Sequence, residues 1–283
     1  MKRTLLSLVS TLTRLLPSGF KRGLYRLGPV SKLIRTLLNR ISPTGLTTVR
    51  VSAGALAGMQ LRLDLQTEKD YWLGTYEVDL QQAVAEHVRP GWVAYDVGAN
   101  IGYISLLLAR AVGESGRVQA FEALPANLER LRENIELNAL TERVTVIAGA
   151  VTDSSRPVRF LIGPSGAMGK VAGSAGREDI HLHSIQVPGI ALDDFVYQQG
   201  NPAPQVLKMD IEGGEVLAIK AMSRLLREAR PLVFLEVHGP EAARAAWDTF
   251  PGAGYRVCRM EPGLPPVSSL AELDWKAYLV AVP

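Results

Sequence analysis

The sequence predicts an α/β protein on an open, mostly parallel sheet with helices on both faces, preceded by a basic helical arm. Three observations lead there. From Val93 onward, short apolar runs with strand character alternate with longer stretches of helical periodicity, the pattern of successive strand-helix crossovers. Several of these runs stop on an acid, at Asp96, Glu122, Asp210 and Glu236, which would gather carboxylates at one edge of a parallel sheet. Finally, residues 1–63 hold eleven of the 31 Lys and Arg and no acid before Asp64, leaving 20 basic and 28 acidic residues for the remainder.

The length of 283 residues, with 47% hydrophobic and 21% charged, suffices for one sizeable core plus an appendage. Cys258 is the single cysteine, so no internal disulfide forms and a cytoplasmic location is the default; the thiol reads as a small core residue. The expected organisation is an arm at 1–45, a hairpin and helix at 46–90, and the main domain at 91–283.

In the arm, Leu5, Leu8, Val9, Leu12, Leu15 and Leu16 recur at helical spacing, and Val30, Leu33, Ile34, Leu37 and Leu38 repeat the pattern beside Lys32, Arg35 and Arg40. Both segments are too short to span a bilayer. They suit peripheral attachment of residues 1–40 to an anionic membrane, at its inner face, or docking as a cap or dimer contact. From Thr47 to Leu65 the period is two, with a Gly and Ala rich turn at 54–58, which predicts a β-hairpin. A helix with Leu80, Val84 and Val88 then ends at Pro90-Gly91.

The central strand ends at Asp96 and turns through Gly98, Ala99, Asn100 and Gly102 into an apolar helix. A dinucleotide fingerprint would read GxGxxG; here the turn reads GxNxG after a buried carboxylate, which repels phosphate. A ligand carrying an ammonium and a sulfonium suits it, and S-adenosylmethionine (SAM) has both. Glu122, ending the next strand, can accept from ribose hydroxyls. Pro125 opens a helix, and Arg143 to Ala148 is a third strand. Between the strand-like runs Val158 to Ile162 and His181 to Val187, residues 163–177 include five glycines, fitting a loop over a site or an exposed hairpin tip. Gln205 to Asp210 is the fourth strand, followed by one helix carrying Val216, Leu217, Ile219, Met222, Leu225 and Leu226. Pro231 precedes a fifth strand reaching Glu236 and His238, Pro240 to Phe250 forms a helix, and Tyr255 to Met260 and Ala277 to Val282 are the last two strands.

DVGANIG at 96–102, FEALPANLERLRENIELN at 121–138, LKMDIEGGE at 207–215 and LEVH at 235–238 together resemble the FkbM-type family of SAM-dependent methyltransferases. The resemblance covers residues 57–282. It implies a Rossmann-like seven-stranded sheet with the last strand antiparallel, SAM as methyl donor, and an acceptor oxygen on a sugar, glycolipid or secondary metabolite. It assigns Asp96, Gly98, Ala99, Asn100 and Gly102 to the methionine and ribose side of SAM, Glu122 to the ribose hydroxyls, and Ala150 to the neighbourhood of the adenine.

Asp210, Glu212, Glu236 and His238 fall at the same sheet edge and are expected to surround the transferred methyl group. In-line transfer to a hydroxyl gains from a base; His238 titrates nearest working pH and comes first, Asp210 second. These groups could hold Mg²⁺, but nothing in their spacing forces it, and no metal is expected. Glu215 reads as a helix N-terminal acid. Lys208 alternates with apolar residues in its strand and suits pairing with a neighbouring carboxylate, but is assigned no functional role. A nucleic-acid methyltransferase ranks below this reading, because the fourth strand lacks the Asn-Pro-Pro-Tyr type of segment and the acidic body lacks a phosphate track. A non-catalytic SAM-binding protein of the membrane surface is the other rival. The sequence does not determine the oligomeric state.

Overall fold

The computed structural model describes residues 44–163, 168–175 and 183–283. The two helices expected in the arm lie outside these residues. The chain divides into two compact units, at Met1–Gln81 and Gln82–Pro283.

In the first unit, β1 (Leu46–Arg50) and β2 (Gln60–Asp64) pair antiparallel with Leu46 opposite Asp64, as the period-two pattern predicts. Leu61, Leu63, Val51 and Leu56 are fully buried beneath it. Helix α1 (Lys69–Leu73), absent from the sequence reading, closes on Gly74 at φ +71. Gln81 clamps the turns: its Oε1 accepts from Ala55 N at 2.8 Å, and its Nε2 donates to Tyr76 O at 2.6 Å. Helix α2 (Val78–His87) carries the chain across the division.

The second unit is built on a seven-stranded sheet. Its strands are β3 (Val93–Val97), β4 (Arg117–Glu122), β5 (Val144–Ala148), β11 (Val206–Met209), β12 (Leu232–His238), β13 (Arg256–Arg259) and β14 (Lys276–Val282), in the order β13-β14-β12-β11-β3-β4-β5. The run from β12 to β5 is parallel, and β14 is antiparallel to both neighbours. The chain reverses its winding between β3 and β11, so the carboxyl ends of these adjacent strands open a crevice, the usual ligand position in such sheets. Helices α3 (Tyr103–Val112) and α4 (Pro125–Leu137) follow β3 and β4. A core including Tyr95, Phe121, Phe195, Leu207, Leu235 and Phe250 fills one flank of the sheet.

The glycine-rich excursion is partly regular. β7 (Val158–Ile162) pairs antiparallel with both β8 (Gly169–Val171) and β9 (His183–Val187), between a short parallel pair β6 (Ala150–Val151) and β10 (Gly189–Ile190). Residues 164–167 and 176–182 lie outside the description. Where one long helix was expected after Asp210 there are two, α6 (Glu215–Lys220) and α7 (Ser223–Glu228). The break has a distant cause. Asp193, in the unpredicted helix α5 (Leu192–Tyr197), accepts from Arg224 N and Leu225 N at 2.8 Å each, capping α7 from another element, and its amide donates to Ala221 O. Helix α8 (Pro240–Gly252) precedes the last strand pair.

Candidate functional site

The turn after β3 is held by its neighbours. Gly98 N and Ala99 N donate to Phe121 O, at 3.1 and 2.8 Å, and Asn100 N donates to Glu122 Oε2 at 2.7 Å. Gly98, Asn100 and Gly102 have φ of +82, +49 and +95. Two of these glycines are also required by this chain's own packing: a Cβ on Gly98 would stand 2.0 Å from Asp210 O, and one on Gly102 2.7 Å from Leu131 Cδ1. The turn after β3 and the acidic segment after β11 therefore touch backbone to backbone.

Asp96 is fully buried. Its Oδ2 accepts from Ser105 Oγ at 2.6 Å, while Oδ1 has no hydrogen-bond partner and lies 3.7 Å from Lys208 Nζ. Burial pushes its carboxyl above the usual carboxylate range, against the pull of Lys208 and Ser105. Lys208, which the sequence reading left without a role, is 3.5 Å from Asp210 Oδ2 and donates to Gly98 O at 3.3 Å. The register explains this: Lys208 on β11 stands opposite Asp96 on β3. A check of opposite positions on the two strands could have found the pair.

Glu122 is also buried. Its Oε1 accepts from Ala123 N and Leu124 N and its Oε2 from Asn100 N, so this carboxylate braces the turns after β3 and β4. Burial raises its pKa and the amides oppose the shift. Ala150 packs with Phe160, Val171 and Val187 in a small separate core, and its amide donates to Pro188 O.

The second cluster forms where β11 and β12 end. His238 is buried with both ring nitrogens facing carboxylates: Nδ1 is 3.0 Å from Glu215 Oε1, and Nε2 is 3.0 Å from Glu236, 3.6 Å from Glu212 and 3.8 Å from Asp210. Burial pulls the imidazole pKa down, but hydrogen bonds to Glu215 and Glu236 outweigh it, and the value is pushed up to about 10. Glu236 also pairs with Lys276 across the β12–β14 ladder. Its carboxyl is held below the usual range because His238 and Lys276 overcome the effect of burial. Burial raises Glu212, whose backbone sits at φ +54 in the turn Asp210-Ile211-Glu212-Gly213. Glu215 is fully buried and also accepts from Ile211 N at 3.1 Å, so it ties the turn to the histidine. Its place at a helix start carried no such signal in the sequence.

Asp210, Glu212, Glu236 and His238, expected at one sheet edge, thus come together, with Glu215, Lys208 and Lys276 added. The glycine-rich excursion reaches this turn too: Ala175 N donates to Gly213 O at 3.1 Å.

An acid-rich crevice with an orphaned buried oxygen on Asp96, bordered by a glycine turn, fits a ligand that is cationic at its reacting centre. SAM is such a ligand, and the sheet order with this edge chemistry defines the class of SAM-dependent methyltransferases. The sequence profile described as the methyltransferase FkbM domain matches residues 96–257, more than half of the chain. The chain belongs to the FkbM methyltransferase family and uses SAM as cofactor.

Similar proteins include the hexuronic acid methyltransferase AglP of Haloferax volcanii, 27% identical over 188 residues that cover 65% of this chain and 72% of that protein. Another is the 31-O-demethyl-FK506 methyltransferase FkbM of Streptomyces tacrolimicus, 27% identical over 197 residues, 61% of this chain and 71% of that one. Among solved structures, methyltransferase FkbM from Methylobacillus flagellatus aligns with a TM-score of 0.43 and 18% identity, covering 77% of this chain and 54% of that chain.

Proposed function

We propose that this methyltransferase acts on an oxygen atom, with a hydroxyl of a sugar, glycolipid or secondary metabolite as acceptor. The observation that carries the reading is the convergence of Asp210, Glu212, Glu236 and His238 beside the turn after β3. Relatives named as a hexuronic acid methyltransferase and a 31-O-demethyl-FK506 methyltransferase support it. SAM supplies a methyl group on a sulfonium, to which the acceptor oxygen must be aligned. Asp96, Gly98, Ala99, Asn100, Gly102 and Glu122 shape the SAM side, with Ala150 near the adenine. Asp210, Glu212, Glu236 and His238 receive the acceptor.

Nδ1 of His238 is held by Glu215 and Nε2 faces Glu236, Glu212 and Asp210, so the general base we assign is a carboxylate. Asp210 and Glu212 are the open candidates, with side chains 18% and 44% exposed, against 7% for Glu236. A positioned base contributes about 10²–10⁴-fold, so Asp210→Asn combined with Glu212→Gln should lower kcat by at least about 100-fold while changing the dissociation constant of SAM less than about threefold. Transfer of labelled methyl from SAM to a panel of glycans and hydroxylated metabolites checks this. Label on nitrogen, or a loss confined to SAM affinity, would remove the assignment.

The domain division at 45 and 90 and the role of the arm are part of the same proposal. No helix among the described residues is long and apolar enough to cross a membrane. Basic side chains near an anionic surface contribute about 1 kcal/mol each, so residues 1–40 should attach the enzyme reversibly, in keeping with a lipid-linked acceptor. In liposome flotation the full chain should rise with anionic vesicles and detach in high salt, while a chain beginning at Thr47 stays at the bottom. Equal behaviour of the two would leave the arm as a docked cap.

A further inference from the structure

We propose that Asp210, Glu236 and His238 form a site for one divalent cation of the Mn²⁺ class, placed to hold the acceptor oxygen. The inference rests on the methyltransferase reading, whose acceptor side it deepens. One ligand atom from each of the three residues lies within 4.8 Å of the other two, close enough for a single ion to draw them together. An imidazole with two carboxylates is a donor set for such an ion, and it leaves positions open for substrate.

Three further observations point the same way. His238 is oriented as metal-binding histidines are: Nδ1 is fixed by Glu215 at 3.0 Å, which turns Nε2 toward the carboxylates. Glu215 is fully buried, and its second oxygen, Oε2, has no hydrogen-bond partner. With His238 neutral, as a ligand must be, the acidic groups of Asp210, Glu212, Glu215 and Glu236 outnumber the nearby amines of Lys208 and Lys276. A dication corrects that excess. Lys276 now contacts the Glu236 oxygen that would coordinate the ion, but its side chain is half-exposed and can withdraw to solvent. With the cation bound, the acceptor hydroxyl oxygen would coordinate to it, its O–H bond would break, and the proton would pass to the Glu212 carboxylate.

The test uses the full chain stripped with a chelator and titrated with Mn²⁺, the free ion being followed by its EPR signal. The expected result is one Mn²⁺ per chain, bound at least about tenfold more weakly after Asp210→Asn or Glu236→Gln and about 10–100-fold more weakly after Glu215→Gln. Lys276→Met should bind Mn²⁺ more tightly, because a competitor for Glu236 is gone. Absence of stoichiometric uptake, or uptake unchanged in both Asp210→Asn and Glu236→Gln, overturns the proposal and leaves a closed salt-bridge network. SAM titration of the same samples reports separately on fold and cofactor binding. If Glu236→Gln fails to fold, the partly exposed Asp210 carries the test alone. Loss of SAM binding by the wild type itself would instead count against the methyltransferase reading.

Discussion

Gly98→Ala should destabilise the protein by about 2–4 kcal/mol and weaken SAM binding by at least about tenfold. A side chain there meets two penalties. The backbone lies at φ +82, where an L-residue is strained, and the new Cβ would stand 2.0 Å from the carbonyl oxygen of Asp210. Neither obstacle is the flexible end of a side chain, so the turn after β3 or the segment after β11 must move. Either shift disturbs the glycine turn and the acidic segment after β11 together. Gly252→Ala is the control: nothing stands within 4 Å of its Cβ, so the change should be close to neutral. Urea unfolding and calorimetric SAM titration measure both variants. A Gly98→Ala protein with wild-type stability and affinity would refute the backbone contact.

Lys208→Met should cost about 3–5 kcal/mol, because it leaves the fully buried Asp96 carboxylate with Ser105 as its hydrogen-bond donor and without its cation. Adding Asp96→Asn should recover a large part of that loss, since the stranded charge goes with it; a double variant no better than the single one would sink the pairing. The deficit should also depend on pH. Burial already holds the folded Asp96 carboxyl above its unfolded value, and losing Lys208 raises it further. A raised carboxyl favours folding when protonated, so both proteins lose stability alike as pH rises from about 4, and the extra deficit of the variant opens above the folded Asp96 value of the wild type and grows up to that of the variant. Chemical unfolding across that range measures it.

Much of this architecture could be read in the sequence because its signals are local. The runs that reach Asp96, Glu122, Asp210 and Glu236 are short, apolar and bounded by turn residues, and all became strands of one sheet. Acids at those ends had to share an edge once the strands were parallel. What escaped depended on distant parts of the chain meeting. The helix break at Ala221 and Met222 follows from Asp193, some thirty residues earlier. The part of Lys208 follows from strand register, and that of Glu215 from the approach of β12. His238 looked in the sequence like the natural base because an isolated imidazole titrates near neutrality. Only in three dimensions is it seen between Glu215 and Glu236, with both nitrogens facing carboxylates.

The position of β14 constrains how the molecule is made. This strand enters between β12 and β13, and among the described residues it is the ladder partner of β13 and the source of the lysine that meets Glu236. During synthesis β13 therefore emerges before its ladder partner exists, and one edge of β12 stays open until β14 leaves the ribosome. Until then the parallel strands lack the antiparallel strand that covers β12, and Glu236 lacks Lys276. A chaperone that shields the open side of β12 would act in that interval.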